Sequence, residues 1–313
     1  MPILHVTDLF NPPGDPDDHF DLVAVCALRE IPIAGVVIDH TVERGVPGLA
    51  TVAKAAELFG RTGRIPSAAG LKQPLRSPTD TGEDQPAEDQ GGVEMILSAL
   101  DSCADGGMVV TIVGSLRDLA AAYNRDPALL KAKIARVMVN AGDSSGVVGP
   151  KDWNTNLDSP SWRRIMTSDL PIDWFPCNPS KGRAPFNGYV TYWRLPQNEL
   201  LRDAPPAVRE FFDSEGIPPD SPEPRHLWST ASFLEAARLL GHRPPSPDRP
   251  DAWEMLPVDI ELDESGTVRW QLRETGGVPL RRIFHVRDVQ GYAAQMFEFL
   301  HGQFRRARGT RTD

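Results

Sequence analysis

No stretch of this 313-residue chain stays apolar for the roughly 18 residues that a membrane-spanning helix needs. The N-terminus lacks a charged n-region and a long apolar h-region, and passes directly into a strand-like run. Cysteine is scarce. Cys26, Cys103 and Cys177 lie far apart, form no C-x-x-C and cannot all pair with one another, so a reducing cytoplasm is the expected setting. Positive charge is also short: 33 Lys and Arg stand against 43 Asp and Glu, a net charge of −10. Basic residues form no stripe interleaved with aromatics, and their one run, Arg305-Arg306-Ala307-Arg308, sits in the tail, where chain ends fray. That balance makes a poor candidate for holding phosphate backbones, so no nucleic acid partner is expected, and without a long apolar run no membrane is expected either. Internal repeats are absent too. What is present is a 40% hydrophobic composition, ample for one large core or two small ones. Thirty prolines and a mean hydropathy of −0.32 imply long ordered loops.

Strand-like and helical patterns alternate through the first half. Ile3–Val6, Ala34–Ile38, Pro66–Ala69, Met108–Val113 and Ala135–Val139 read as strands. Phe20–Leu28, Gly48–Phe59, Gly92–Leu100 and Leu116–Tyr123 read as helices, with Gly60 as a C-terminal stop. Continuous Val/Ile-rich strands between helices predict an α/β fold, an open and mostly parallel sheet with helices on both faces. Lys72 to Gly91 is rich in Pro, Asp, Glu, Gly and Gln and reads as a long surface loop or lid. From Asn178 to Arg225 prolines recur and no strand is legible. Beyond it, Thr230–Leu240 is helical, Val258–Leu262 and Val268–Leu272 flank a hairpin turn, Phe284–Val286 is a strand, and Val289–Phe304 is a closing helix. No linker separates two cores, so one domain spanning 1–313 is expected.

Four aspartates, Asp8, Asp15, Asp17 and Asp18, stand within eleven residues between the first strand and the first helix. One or two are explained by capping and the helix dipole. Four crowded carboxylates repel one another, and a hard cation with oxygen ligands offsets that most simply. Elsewhere, Asp152-Trp153-Asn154 combines turn-forming polar residues with an aromatic. His19 and His40 read as neighbours of carboxylates, whereas His5, His242, His285 and His301 show no ligand spacing. Gly142-Asp143-Ser144-Ser145-Gly146 fits G-x-S-x-G, but Val147-Val148-Gly149-Pro150 follows where a nucleophile elbow needs a helix.

The order of these motifs resembles the nucleoside hydrolase family of the inosine-uridine-preferring type. The resemblance rests on Asp8 at the end of the first strand and the Asp17-Asp18 pair at a helix start. It extends through Ala56 to Gly70, through Val110-Thr111-Ile112-Val113-Gly114-Ser115 to Ala120, through Asp152-Trp153-Asn154 and Asp158, and through Phe284 to Leu300. It therefore covers nearly the whole chain. It implies hydrolysis of the N-glycosidic bond of a ribonucleoside or related N-glycoside, a single calcium ion (Ca2+) as cofactor, and a homodimer or homotetramer. By the same resemblance Asp8, Asp18 and the carbonyl of Val113 are metal ligands, and Asp8 also takes a proton from water. Asp17 holds ribose hydroxyls, and Asp152 and Asn154 bind the sugar.

The sequence also departs from the family pattern. The segment Phe10–Asp15 lengthens the aspartate turn and makes Asp15 a rival ligand to Asp8. Asp39 and His40 stand where the family has an Asn, which makes His40 a candidate substrate contact. The family's later His-Asp pair, a general acid and a calcium ligand, falls on Trp228 and Ser229. His226 is close enough to serve as the acid, and Trp228 is placed to stack on a base. Two other readings follow from these departures: a non-catalytic sugar- or nucleoside-binding protein, and a hydrolase for an unusual glycoside.

Overall fold

The apolar opening run becomes the strand Ile3–Thr7, buried along its whole length because neighbours cover both of its edges and helices cover both of its faces. In this computed structural model the described residues are 1–40, 45–61, 65–146, 152–177, 188–242, 250–274 and 280–307. Their elements begin with β1 (Ile3–Thr7), β2 (Phe10–Asn11), α1 (Asp17–Ala27), β3 (Ile33–Ile38), β4 (Val46–Pro47) and α2 (Leu49–Leu58). Next come β5 (Ser67–Ala69), α3 (Gly91–Asp101), β6 (Met108–Ile112), α4 (Arg117–Arg125), α5 (Pro127–Lys133) and β7 (Ile134–Asn140). The middle holds α6 (Trp153–Leu157), α7 (Ser159–Met166), β8 (Ile172–Phe175), β9 (Trp193–Pro196), α8 (Gln197–Leu201), α9 (Pro206–Ser214) and β10 (Pro224–Leu227). The chain continues with α10 (Thr230–Leu239), β11 (Trp253–Leu262), β12 (Val268–Leu272), β13 (Arg281–Val286) and α11 (Val289–Phe304).

Among the described residues nine strands form one sheet in the order β12-β11-β13-β8-β7-β6-β1-β3-β5. From β5 to β13 every pairing is parallel, and β11 and β12 close one edge antiparallel. The expected open α/β sheet is therefore the observed one. One apolar cluster, with Phe20, Val52, Phe212, Phe233 and Phe304, gathers α1, α2, α9, α10 and α11 on one face. A second, with Val93, Leu119, Trp162 and Leu170, lies under α3, α4 and α7 on the other. Among the described residues no helix is long and apolar enough to cross a membrane.

Differences from the sequence reading have physical causes. Helix α1 starts at Asp17, three residues before Phe20, so Asp17 and Asp18 lie inside its first turn, where the helix dipole favours carboxylates. Strand β8 is hidden in the sequence by Asp173, which is wholly buried and charge-compensated by Arg282 and Arg136. The stretch after Asn178 folds into a β9–β10 ribbon around α8 and α9; residues 178–187 lie outside the described residues. The segment Lys72–Gly91 is fastened down rather than free to act as a lid. Asn124 and Arg125 donate to the carbonyls of Pro78, Asp80 and Thr81, and Leu75 N donates to Asp158 Oδ2 at 2.8 Å.

Candidate active site

From β1 the chain winds outward through β3 and β5, then returns to β6 and winds the other way through β7, β8 and β13. The crevice beyond the carboxyl ends of β1 and β6 is thus the topological switch point, where open α/β sheets bind ligands. Asp8 follows β1 here and Val113 follows β6. Gly114 lets the two strand ends approach: a Cβ there would lie 2.4 Å from Asp39 Oδ2 and 2.7 Å from Asp8 N. Asp39 is consumed in fixing this junction, accepting from Ser115 N at 2.6 Å and Ser115 Oγ at 2.8 Å. Burial pushes its carboxyl up to about 7.

Around this point the structure brings together the carboxylates of Asp8, Asp17 and Asp18. Asp8 and Asp18 hydrogen-bond to each other, and Asp18 Oδ1 also accepts from Thr7 Oγ1 at 2.5 Å. Burial first, then the neighbouring carboxylates, raise all three well above the ordinary range. Two carboxyls this close share either a proton or a cation. Asp15 is half exposed and in a 3.0 Å ion pair with Arg225, and its charge is the foremost of the carboxylates acting on Asp17. The Arg225 guanidinium also faces Asp17 and opposes the rise there.

The second predicted segment packs against the first. Trp153 Nε1 donates to Asp8 Oδ2 at 2.6 Å although its ring is 43% exposed, so the indole overhangs the carboxylates. Asn154 Nδ2 bridges the carbonyls of Val113, at 2.9 Å, and Asn140, at 2.8 Å, tying the ends of β6 and β7. Asp152 caps α6 and accepts from Gly142 N at 2.9 Å and Thr155 Oγ1 at 2.6 Å. Asp158 caps α7 and holds Arg117 in a fully buried pair at 3.0 Å.

The third predicted group forms an aromatic cluster beside Arg225. His226 Nδ1 lies 2.7 Å from Tyr192 OH, and the His226 ring stacks within 20° of both Tyr192 and Trp228. His40 turns toward the loop instead: its ring lies 3.8 Å from Asp89, and Arg117 Nη1 holds its carbonyl. Of the remaining histidines, His19 faces Glu215 at 3.9 Å and His5 bonds Thr111 inside the sheet. The rival serine motif has its Ser144 hydroxyl donated to Tyr189 O at 2.5 Å; residues 147–151 after it lie outside the described residues.

Several groups at the site were missed in the sequence. Asp21, one turn beyond Asp17 on α1, is wholly buried, and burial raises it to about 7. Helical spacing from Asp17 and Asp18 was the available signal. Cys177, just past β8, is buried and lies within the field of Asp152, Asp17, Asp8 and Asp21; burial above all raises its thiol, which stays protonated. Tyr192 and Asn140 carried no sequence signal.

The donor set, carboxylates plus a strand-end carbonyl, has the hard-oxygen chemistry that a divalent cation such as calcium takes. Asn140 Oδ1, wholly buried, is a further oxygen without a hydrogen-bond partner among the described residues. Among the described residues no group of three or more His, Cys, Asp or Glu side chains is placed so that it could hold a metal ion.

Comparison with known proteins agrees with the fold. No family model matches the chain. An uncharacterized protein of Schizosaccharomyces pombe is 28% identical over 184 residues, 52% of this chain and 58% of that protein, so the chain matches a little over half of this relative's length. Among solved structures, a purine-preferring ribonucleoside hydrolase from Gardnerella vaginalis superposes over 96% of this chain and 99% of its own, with a TM-score of 0.62 and 14% identity. The inosine-uridine-preferring nucleoside hydrolase of Bacillus anthracis covers 98% and 100%, with a TM-score of 0.58 and 15% identity. A plant nucleoside hydrolase covers 97% and 98%, with a TM-score of 0.61 and 14% identity. The chain has the nucleoside hydrolase fold, as the order of its sequence motifs led one to expect.

Proposed function

We propose that this protein is a calcium-dependent N-glycosyl hydrolase that splits a ribonucleoside or related N-glycoside into free sugar and base. The observation that carries the reading is the convergence of Asp8, Asp17 and Asp18 at the switch point of a nucleoside hydrolase fold. Asp8, Asp18 and the Val113 carbonyl are the residues that would hold the ion. When bound, it acidifies a water and grips a vicinal diol of the sugar.

Asp8 takes the attacking water's proton, with the Trp153 indole steadying its charge. Asp17 accepts from the sugar hydroxyls. The ring of carboxylates stabilises the positive charge that grows as the glycosidic bond breaks. Asn154 and Asp152 border the sugar end, and Tyr192, His226 and Trp228 offer the leaving base an aromatic face. His226 is the group in that face that can return a proton to the base.

The test is reducing-sugar release from purine and pyrimidine ribosides, with added calcium and with chelator. Turnover that chelator abolishes supports the reading, as does loss of about three orders of magnitude in kcat/KM in Asp17→Ala or Asp18→Ala. Undiminished rates in those variants would sink it.

A second reading, a non-catalytic binding protein, draws on Trp228 and Ser229, which stand where the resembled family has its general-acid His and ligand Asp; the Ser229 hydroxyl is engaged with Asp21. It predicts calorimetric binding of a riboside without sugar release.

A further inference from the structure

The start of α10 is built in an unusual way. Ser229 occupies the N-cap position, yet its side chain makes no capping bond to its own helix. Its hydroxyl donates instead to Asp21 Oδ2, in α1, and the Thr230 hydroxyl reaches Asp21 Oδ1 at 3.5 Å. Two helices thus meet on a single carboxylate that is wholly buried. Among the described residues, no Lys, Arg or His side chain forms an ion pair with Asp21.

Hydroxyl donors satisfy hydrogen-bonding sites without neutralising charge, so they do not account for a carboxylate in this place. Helical spacing supplies the missing context. Asp21 lies three and four residues after Asp18 and Asp17, on the same face of α1, and within the field of Asp8. A second and independent feature lies beside it. Asn140 Nδ2 contacts the carbonyl of Trp228, the residue before Ser229, while the buried Asn140 Oδ1 has no hydrogen-bond partner among the described residues. Oxygen atoms are therefore in surplus on the side of the site formed by α1 and the start of α10, as they are on the strand side.

We propose that Asp21 is itself a ligand of the cation: its carboxylate reaches the ion from one turn inside α1, and the Ser229 and Thr230 hydroxyls aim it. The inference rests on the ion site proposed above. It assigns to α1 a carboxylate that the start of α10, with Ser229, does not provide. Each oxygen of Asp21 that accepts a hydroxyl keeps a second lone pair for the ion.

Calcium chloride titrated into the purified full chain in a calorimeter tests the assignment without reference to turnover. Wild type should bind a single calcium ion, and Asp21→Asn should bind it at least about tenfold more weakly. The double variant Asp21→Ala/Ser229→Asp, which moves the carboxylate across to α10, should recover most of the lost affinity. Thermal unfolding in chelator shows whether each variant is folded, and Asp21→Asn, which removes a buried acid, should melt no lower than wild type. Equal calcium affinity in wild type and Asp21→Asn would overturn the assignment while leaving the ion site standing. Absence of calcium binding by wild type would overturn both.

Discussion

The indole Nε1 of Trp153 donates to Asp8 Oδ2 at 2.6 Å, so an exposed aromatic side chain holds the carboxylate that ends the first strand. A donor to a carboxylate favours its charged form, and here it works against burial and the Asp18 charge, which push the Asp8 pKa up. Trp153→Phe keeps the ring and removes the donor. The acid limb of the kcat/KM profile should then move to higher pH, because Asp8 holds its proton longer. Rates measured from pH 4 to 9 check this, and an unmoved limb would mean that the indole does not act on Asp8 during turnover.

Arg117 organises the rim of the same crevice. Its buried guanidinium pairs with Asp158 at 3.0 Å and donates to the carbonyls of His40, Leu71 and Leu157 at 2.9, 2.7 and 2.9 Å. Arg117→Ala leaves Asp158 buried without its charge partner, and a loss of about 3–5 kcal/mol is expected in urea unfolding. Arg117→Lys should recover little, since an ammonium cannot fork to four acceptors. Proteolysis should cut first within Lys72–Gly91, the segment whose start these bonds tie down. Stability within about 1 kcal/mol of wild type in Arg117→Ala would contradict this account.

Asp118 sets a pH dependence of stability. It is buried at the start of α4, Leu71 N donates to its Oδ1 at 3.0 Å, and its Oδ2 has no hydrogen-bond partner among the described residues. Burial foremost, with the Asp39 charge, raises its carboxyl from 3.8 to about 7. Between those values the folded chain holds a proton that the unfolded chain releases. Stability therefore falls as pH rises through the window and levels off above about 7, by roughly 4 kcal/mol at most for a shift of this size. Asp118→Asn should flatten the fall. Urea unfolding in chelator at pH 5, 6, 7 and 8 measures the slope, and parallel curves for the two proteins would refute the assignment.

Much of the fold was legible because local and tertiary demands agree. β1, β3, β6 and β7 are continuous apolar runs, as strands covered on both faces must be. β8 was not legible, because Asp173 breaks its pattern and its charge partners lie 37 and 109 residues away at Arg136 and Arg282. The loop Lys72–Gly91 looked unattached because the residues that fasten it, Arg117, Asn124, Arg125 and Asp158, lie elsewhere in the chain.

At the site, sequence alone determined the crowding of carboxylates after the first strand, since Asp8, Asp17 and Asp18 are close along the chain and their repulsion needs no fold to be recognised. Only the tertiary structure decided which of them meet. It put Asp15 on Arg225, used Asp152 as a helix cap, and laid the Trp153 indole over Asp8. It also brought Ser229 onto Asp21 across 208 residues. The physical reason is that a carboxylate's role depends on which donors and charges share its low-dielectric surroundings, and those neighbours are chosen by how the helices pack on the sheet.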